Sequence, residues 1–286
     1  MALSRRTLLA TGAITAAVGI PVVQHVSWSK QSFKRDGFVE SPPGPPEGRR
    51  NWSNWSGIER ATPHTIAVPA NDAELAELIR NSTDPIRPVG TGHSFTGLVP
   101  SDGIIVDVSR FTGLLTHDPV AMTATFGAGT RLRQASRALS EVGLGFPNMP
   151  DIDVQTLAGS FATATHGAGA GLTAIHDYAI GFRLITAAGD VVDVTEASHP
   201  ELFAAGKVSL GALGVITQYT LRVVPAFKLL RTVTVMTIED IMDQAVAAAQ
   251  SHRGYEFFYL PGTGYGAVLV HDVTDEPDTG AVSDEE

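Results

Sequence analysis

Three glycine-rich segments constrain this chain more than any other feature: Pro88 to Gly97, Asn148 to Gly167, and Ser209 to Thr217. Each borders a run with strand or helix character, and each is too rich in Gly, Ala, Ser and Thr to pack as an ordinary element. A glycine turn lets backbone approach a neighbour with no Cβ between them. Several N–H groups exposed in such a turn converge into a nest that suits phosphate oxygens. The fold must therefore hold three pliant turns on stiffer elements.

The first segment fails the common motif tests. A dinucleotide loop needs G-x-G-x-x-G opening a helix, but after Gly90 and Gly92 the third position is Phe95, and the next glycine is Gly97. A Walker loop needs Gly-Lys-Ser/Thr, and Gly206-Lys207 is followed by Val208. A hydrolase elbow needs G-x-S-x-G; Gly92-His93-Ser94-Phe95-Thr96 lacks its last glycine, which argues against Ser94 as a nucleophile. In the second segment small residues alternate with hydroxyls and carry almost no charge. That composition lets backbone lie flat against a ligand while Ser and Thr supply hydrogen bonds. The third is a glycine turn feeding a strand.

Around these turns, short strands and helices alternate. Thr65 to Val68 reads as a strand, then Asn71 caps a helix with Glu74 three residues on and Leu75, Leu78 and Ile79 on one face. Strands follow at 86–89, 103–108 and 121–126. A second helix begins near Thr130, carries Leu132, Ala135, Leu139 and Val142 at helical spacing, and stops at Gly143. Strands 180–186 and 191–194 flank the hairpin turn Ala188-Gly189-Asp190, and a long strand from Val215 to Val223 ends at Pro225. A further unit opens with a strand at 230–237, a helix at 238–250 and strands at 255–260 and 266–271. Phe257, Phe258 and Tyr259 are expected to be sheet core. Trp52 and Trp55 are expected to cover a core edge.

Composition removes several function classes. The 30 acidic residues outweigh 20 Lys and Arg, a net charge of -10, so no basic surplus exists to bind nucleic acid. Zero Cys excludes disulfides, iron–sulfur clusters and thiol nucleophiles. Nine His form no H-E-x-x-H pattern, so no metal site is expected. After Arg253 come eight carboxylates and no Lys or Arg, which reads as a solvated tail or an interrupted loop.

The N-terminus reads as an address. Ser4-Arg5-Arg6-Thr7-Leu8-Leu9 ahead of an uncharged run to Ser29 is similar to a twin-arginine export signal, a route that carries folded cargo to the periplasm or cell envelope. The alternatives are an ordinary secretory signal or a membrane anchor, since no Ala-x-Ala cleavage site stands out and the run approaches the roughly 20 residues that span a bilayer. Residues 1–30 are thus a leader. Residues 31–60, with Ser41-Pro-Pro-Gly-Pro-Pro46, are a Pro-rich linker and lead-in.

Taken in order and with their spacing, the motifs resemble one family. Val89-Gly-Thr-Gly-His-Ser-Phe95, Asp151-Ile-Asp-Val-Gln-Thr-Leu-Ala-Gly159, Thr163-Ala-Thr-His-Gly167, Ser209-Leu-Gly-Ala-Leu-Gly-Val-Ile216 and Glu256-Phe-Phe-Tyr-Leu-Pro261 carry the likeness across residues 60–262. It is to the FAD-linked oxidases of the vanillyl-alcohol oxidase / p-cresol methylhydroxylase (PCMH) type, and within them to the sugar-lactone and alditol branch. The resemblance implies an α+β fold: a two-subdomain FAD-binding domain over residues 61–226, then the start of an α+β substrate domain over 227–286 that looks truncated.

It also implies roles. His93 matches the histidine bonded covalently to the flavin 8α-methyl carbon. Gly90, Thr91, Gly92 and Ser94 match the pyrophosphate loop. Gly159, Ser160, Thr163, Thr165, His166 and Gly167 match the segment along the ribityl chain and diphosphate, and Ile216 the backbone that reads adenine. Asp151 stands near flavin and substrate; Asp153 beside it reads as a turn former. The implied reaction is oxidation of a CH–OH group in a sugar lactone, alditol or similar small polyol by hydride transfer to flavin N5.

Two departures follow. The small residue that precedes Asp151 in the family and gates oxygen is Pro150 here, which leaves the electron acceptor open between oxygen and another molecule. The family's substrate-activating residues are expected beyond Glu286, so no catalytic residue is assigned, and a non-catalytic or truncated FAD-binding module is the alternative.

Overall fold

The computed structural model describes residues 46–277; the leader, the linker up to residue 45 and the acidic end from residue 278 lie outside the described residues. The lead-in forms a two-stranded ribbon, β1 (Trp52–Ser53) against β2 (Arg60–Ala61).

A small parallel sheet follows. β3 (Thr65–Ala67), β4 (Ile86–Val89) and β5 (Ile104–Asp107) line up in the order β3-β5-β4, with α1 (Asp72–Asn81) crossing between the first two. β5 is central and reads Ile-Ile-Val because a parallel strand is covered on both faces; Ile105 and Val106 are fully buried. α1 starts at the cap the sequence sets: Asn71 Oδ1 accepts the Glu74 N–H at 3.0 Å, and Glu74 Oε2 reaches one residue past the cap to accept the Ala70 N–H at 2.7 Å. Its stripe of Leu75, Ala76 and Ile79 packs on the sheet.

The second layer is antiparallel. β6 (Leu114–Asp118), β7 (Thr123–Gly127), β9 (Ala179–Ile185), β10 (Val191–Thr195) and β11 (Val215–Arg222) take the order β10-β9-β11-β7-β6, while the short β8 (Leu144–Gly145) pairs with β12 (Val224–Pro225). The strand expected at 121–126 runs from Thr123 instead. Asp118 Oδ1 accepts the N–H groups of Val120 and Ala121 at 2.8 and 2.9 Å, and Met122 takes φ 53°, so the preceding residues form a turn. Over this sheet lie α2 (Leu132–Glu141), α3 (Leu157–Ala162) and α4 (Pro200–Gly206). Phe126, Leu132, Leu139, Leu157, Phe161, Tyr219 and Leu221 are fully buried in its core. Ile185 and Val215, at adjoining ends of β9 and β11, belong to the core beneath α1 and join the two layers.

The last unit is a three-stranded antiparallel sheet, β13 (Lys228–Thr237), β15 (Tyr265–Thr274) and β14 (Gly254–Leu260) in the order β13-β15-β14, with α5 (Ile238–Ser251) between the first two in sequence. Here one expectation fails. Phe257, Phe258 and Tyr259 are not core; Phe258 and Tyr259 are each 51% exposed. β14 is an edge strand, and α5 buries only Ile241 against the sheet. The unit meets the rest through Arg253, which donates to the Pro147 carbonyl and stacks over Phe227 at 4.5 Å, and through β14, where the Tyr255 N–H donates to the Ala168 carbonyl at 3.4 Å. Among the described residues, no helix is long and apolar enough to cross a membrane.

Candidate functional site

The three glycine-rich segments converge. Gly90 to Ser94, at the end of β4, form one wall of a cleft. Gln155, Ala158, Gly159, Ala162 and Thr163, on and around α3, form the second. Ser209, Leu210, Gly211, Gly214, Ile216 and Tyr219 form the third. Local chemistry explains how each is held. The second segment, read as a loop from its composition, contains a helix: Thr156 caps α3 by accepting the Gly159 N–H at 3.2 Å. Gly90 lies so close to that cap that a Cβ on it would sit 2.0 Å from Thr156 Oγ1. Leu210 donates its N–H to the Ala162 carbonyl at 3.2 Å, tying the third segment to the end of α3. Leu210 and Ala164 take φ of 50° and 57°, conformations that non-glycine residues seldom adopt, and both lie in these segments.

The first wall has a polarity. The carbonyls of Gly92, His93 and Ser94 accept hydrogen bonds from Trp55 N–H, Trp55 Nε1–H and Asn54 Nδ2–H at 3.1, 3.1 and 2.9 Å. The amides of Thr91, Gly92, His93 and Ser94 donate to no acceptor among the described residues. Ser94 Oγ accepts the Thr96 N–H at 3.1 Å, a turn-closing role. Trp55 does not cover a core edge: it is 53% exposed, and its ring stacks on His93 with centroids 4.7 Å apart and planes 8° from parallel. Desolvation lowers the His93 pKa below the ordinary histidine value, favouring the neutral imidazole.

The remaining residues singled out by sequence stand around this cleft rather than in its walls. Ser160 is fully buried, donating to the Leu157 carbonyl at 3.0 Å. Thr165 Oγ1 donates to Gln155 Oε1 at 3.2 Å and so orients a wall residue. His166 is exposed, its Nδ1 3.2 Å from the Gly167 carbonyl oxygen. Gly167 is needed for closeness: a Cβ would meet the Met149 carbonyl oxygen at 2.3 Å. Asp151 is exposed and faces Glu256 of β14; desolvation first, then the Asp151 charge, raises the Glu256 pKa. Asp153 pairs with Arg133 at 3.0 Å. Among the described residues, no cluster of three or more His, Asp or Glu could hold a metal ion.

Sequence reasoning missed Tyr219. Its side chain is fully buried in the third wall, its hydroxyl has no hydrogen-bond partner among the described residues, and burial pushes its pKa up. In the sequence it is one more apolar position of an alternating strand, and nothing marks it. Gln155 and the Ser209–Gly214 turn lay within quoted motifs without being named as site residues.

Comparison with known proteins agrees with this geometry. Residues 63–195 match the FAD binding domain family. L-gulono-1,4-lactone dehydrogenase of Mycobacterium tuberculosis is 35% identical over 213 residues, 73% of this chain and 49% of that protein. D-arabinono-1,4-lactone oxidase of Candida glabrata is 28% identical over 241 residues, 81% of this chain and 46% of that protein. The chain therefore spans about half the length of these relatives. A solved structure of cholesterol oxidase from Brevibacterium sterolicum shares the fold with a TM-score of 0.68 at 19% identity, covering 84% of this chain and 51% of that one. The match over residues 63–195 takes in the turns at 90–94 and 155–163, two of the three that meet at the cleft.

Proposed function

We propose that this chain is the flavin-binding part of an FAD-dependent oxidoreductase that oxidises a CH–OH group of a sugar lactone, alditol or similar polyol. The observation that carries the reading is the cleft itself: three turns meet, and in one of them the amides of Thr91 to Ser94 donate to no acceptor among the described residues while the carbonyls of Gly92, His93 and Ser94 are already paired. The cleft also fits the group on a second count. A buried Tyr219 hydroxyl without a partner costs roughly 1–3 kcal/mol, which a polar ligand atom beside it would relieve.

Thr91, Gly92, His93 and Ser94 would hold the diphosphate through backbone N–H, as an anion nest does. Gly159 and Thr163 would flank the ribityl chain, and Ile216 the adenine. Bound there, FAD supplies a two-electron acceptor that no protein side chain provides. The chain's residues would bind and orient it; His93, whose lowered pKa favours the neutral imidazole, would anchor the ring covalently through its 8α-methyl carbon. Support for lactone or polyol as substrate comes from the relatives' names, two of which are lactone oxidoreductases. Oxygen or another small acceptor would take the electrons onward. Residues 61–226 would make the flavin domain and 227–286 part of a substrate-capping domain. The Arg5-Arg6 leader would direct export to the periplasm or cell envelope.

The test is spectroscopic. FAD-loaded protein, held without oxygen, is mixed with gulono-, galactono- and arabinono-lactones and with alditols, and the oxidised flavin band is followed. Bleaching by any of them supports the reading. Bound FAD that none of them bleaches favours a flavin-binding module without catalysis, and no FAD binding at all overturns both.

A further inference from the structure

Outside the cleft walls, one short segment makes contacts out of proportion to its size. Asn54 and Trp55 donate to three consecutive carbonyls, those of Gly92, His93 and Ser94. The Trp55 indole lies flat on the His93 imidazole, and Phe95 meets the indole edge-on at 5.3 Å. Asn54 is itself fixed: it is 4% exposed, and its Oδ1 accepts the Glu59 N–H and the Ser56 hydroxyl, both at 3.2 Å. Its backbone N–H bonds to the Glu59 carbonyl at 3.0 Å. The segment is thus a rigid turn whose outward groups all grip one loop.

We infer that Asn54 and Trp55 are positioning residues that clamp the Gly92–Ser94 loop and set the His93 ring for bond formation with the flavin. The inference rests on the reading of His93 as the flavin-linking residue. An imidazole side chain has two rotatable bonds. Stacking on one face removes the ring's freedom to tumble while leaving its nitrogen edge and its other face available. The carbonyl clamp acts on the same residue from the backbone side, and because a planar trans peptide sets its N–H opposite its C=O, holding the Gly92 and His93 carbonyls also aims the His93 and Ser94 amides the other way. One segment therefore fixes two amides of the anion nest together with the nucleophile.

In the step being positioned, an imidazole nitrogen forms a bond to the 8α-methyl carbon. One methyl C–H and the imidazole N–H are lost as protons, and the electron pair passes through the flavin to dissolved oxygen, giving hydrogen peroxide. Misplacing reacting atoms by about 1 Å can slow such a step by about a hundredfold.

The experiment compares Trp55→Phe, which keeps a ring for stacking, with Trp55→Leu, which keeps bulk alone. The full chain is prepared flavin-free, FAD is added in air, and two quantities are followed. Total bound flavin is read after gel filtration; covalent flavin is read as fluorescence that stays with acid-precipitated polypeptide. The expected result is near-normal total FAD in both variants, with the covalent rate of Trp55→Leu down about tenfold or more and that of Trp55→Phe within about threefold of the parent. Melting temperature checks that both variants fold. Equal covalent rates in all three proteins overturn the inference, and so does a folded Trp55→Leu variant that binds no FAD, which would make Trp55 a binding residue. If Trp55→Leu does not fold, Asn54→Ser replaces it, with the same slowed covalent rate expected and an unchanged rate overturning the clamp. Parent protein that binds FAD but never covalently would instead refute the underlying assignment of His93.

Discussion

The five-stranded antiparallel sheet and the three-stranded sheet after it have similar alternation in sequence and opposite fates in burial. In the first, helices lie over the strands and Phe126, Phe161, Tyr219 and Leu221 are fully enclosed. In the second, Val233, Val235, Phe258 and Tyr259 are all more than half exposed, and α5 encloses only Ile241. Strand patterning thus specifies a face that can be buried, and what lies on that face decides whether it is. The consequence is functional. The enclosed sheet holds β11 and α3 rigidly enough to place Tyr219 and Gly159 in the cleft wall.

Truncating one aromatic in each layer, Phe161 of α3 packed over the first sheet and Phe258 of β14 in the second, gives the sharpest test of that contrast. Phe161→Ala removes a fully buried ring that meets Tyr219 edge-on at 4.8 Å, and should cost about 3–5 kcal/mol in denaturant unfolding. Phe258→Ala, with half its surface already in water, should cost about 1 kcal/mol or less. Equal losses would mean the two sheets are equally packed. Next in size is Gly214→Ala, at the entrance to β11. Gly214 takes φ +135°, and a Cβ there would lie 2.3 Å from the Ile185 carbonyl oxygen, so the change should destabilise by more than about 1 kcal/mol. The same replacement at Gly262, with φ +78° but open space around it, should cost less, which melting temperatures would decide. Tyr219→Phe probes the wall itself. It removes an unpaired hydroxyl, so the flavin-free protein should be unchanged or slightly more stable, while FAD binds about fivefold more weakly for want of a hydrogen bond of about 1 kcal/mol. Unchanged FAD affinity by titration would show that the hydroxyl does not meet the ligand.

The comparison also explains what could be read in advance. Asn71, Glu74 and Gly143 mark helix ends by local chemistry alone, and the structure uses them that way. The three cleft turns were legible because glycine at a close approach leaves a compositional trace, as at Gly90 and Gly167. α3 was not, since Leu-Ala-Gly-Ser-Phe-Ala is too short and too small-residue-rich to show helical periodicity; its Thr156 cap becomes visible only with the fold. Nor was the exposure of Phe258, because a strand's pattern does not reveal whether it lies at an edge. Trp55 escaped for a different reason. Its partner His93 lies 38 residues away, and a ring stack between such distant positions has no local signature.

The smallest expected effect sets the two sheets against each other by pH. On the enclosed sheet, Arg183 donates to both Asp193 oxygens at 2.7 and 3.0 Å, and these bonds hold the Asp193 pKa below its ordinary value. A depressed carboxylate pKa contributes stability above the unfolded value, near pH 3.9, that is lost as pH falls through the folded one. On the open sheet the sign reverses. Glu256 has a raised pKa from desolvation and the facing Asp151, so its contribution is complete below the unfolded value, near pH 4.3, and is lost as pH rises through the folded one. Asp193→Asn should therefore lower the melting temperature at neutral pH and leave it unchanged in acid. Glu256→Gln should raise it at neutral pH, because a neutral amide relieves the repulsion with Asp151. Asp193 is largely solvated and Glu256 only partly buried, so each change should stay under about 1 kcal/mol. A Glu256→Gln variant that melts lower than the parent at pH near 7 would mean that the carboxylate finds a stabilising partner there, with Arg231, the cation that draws its pKa back down, the first to test.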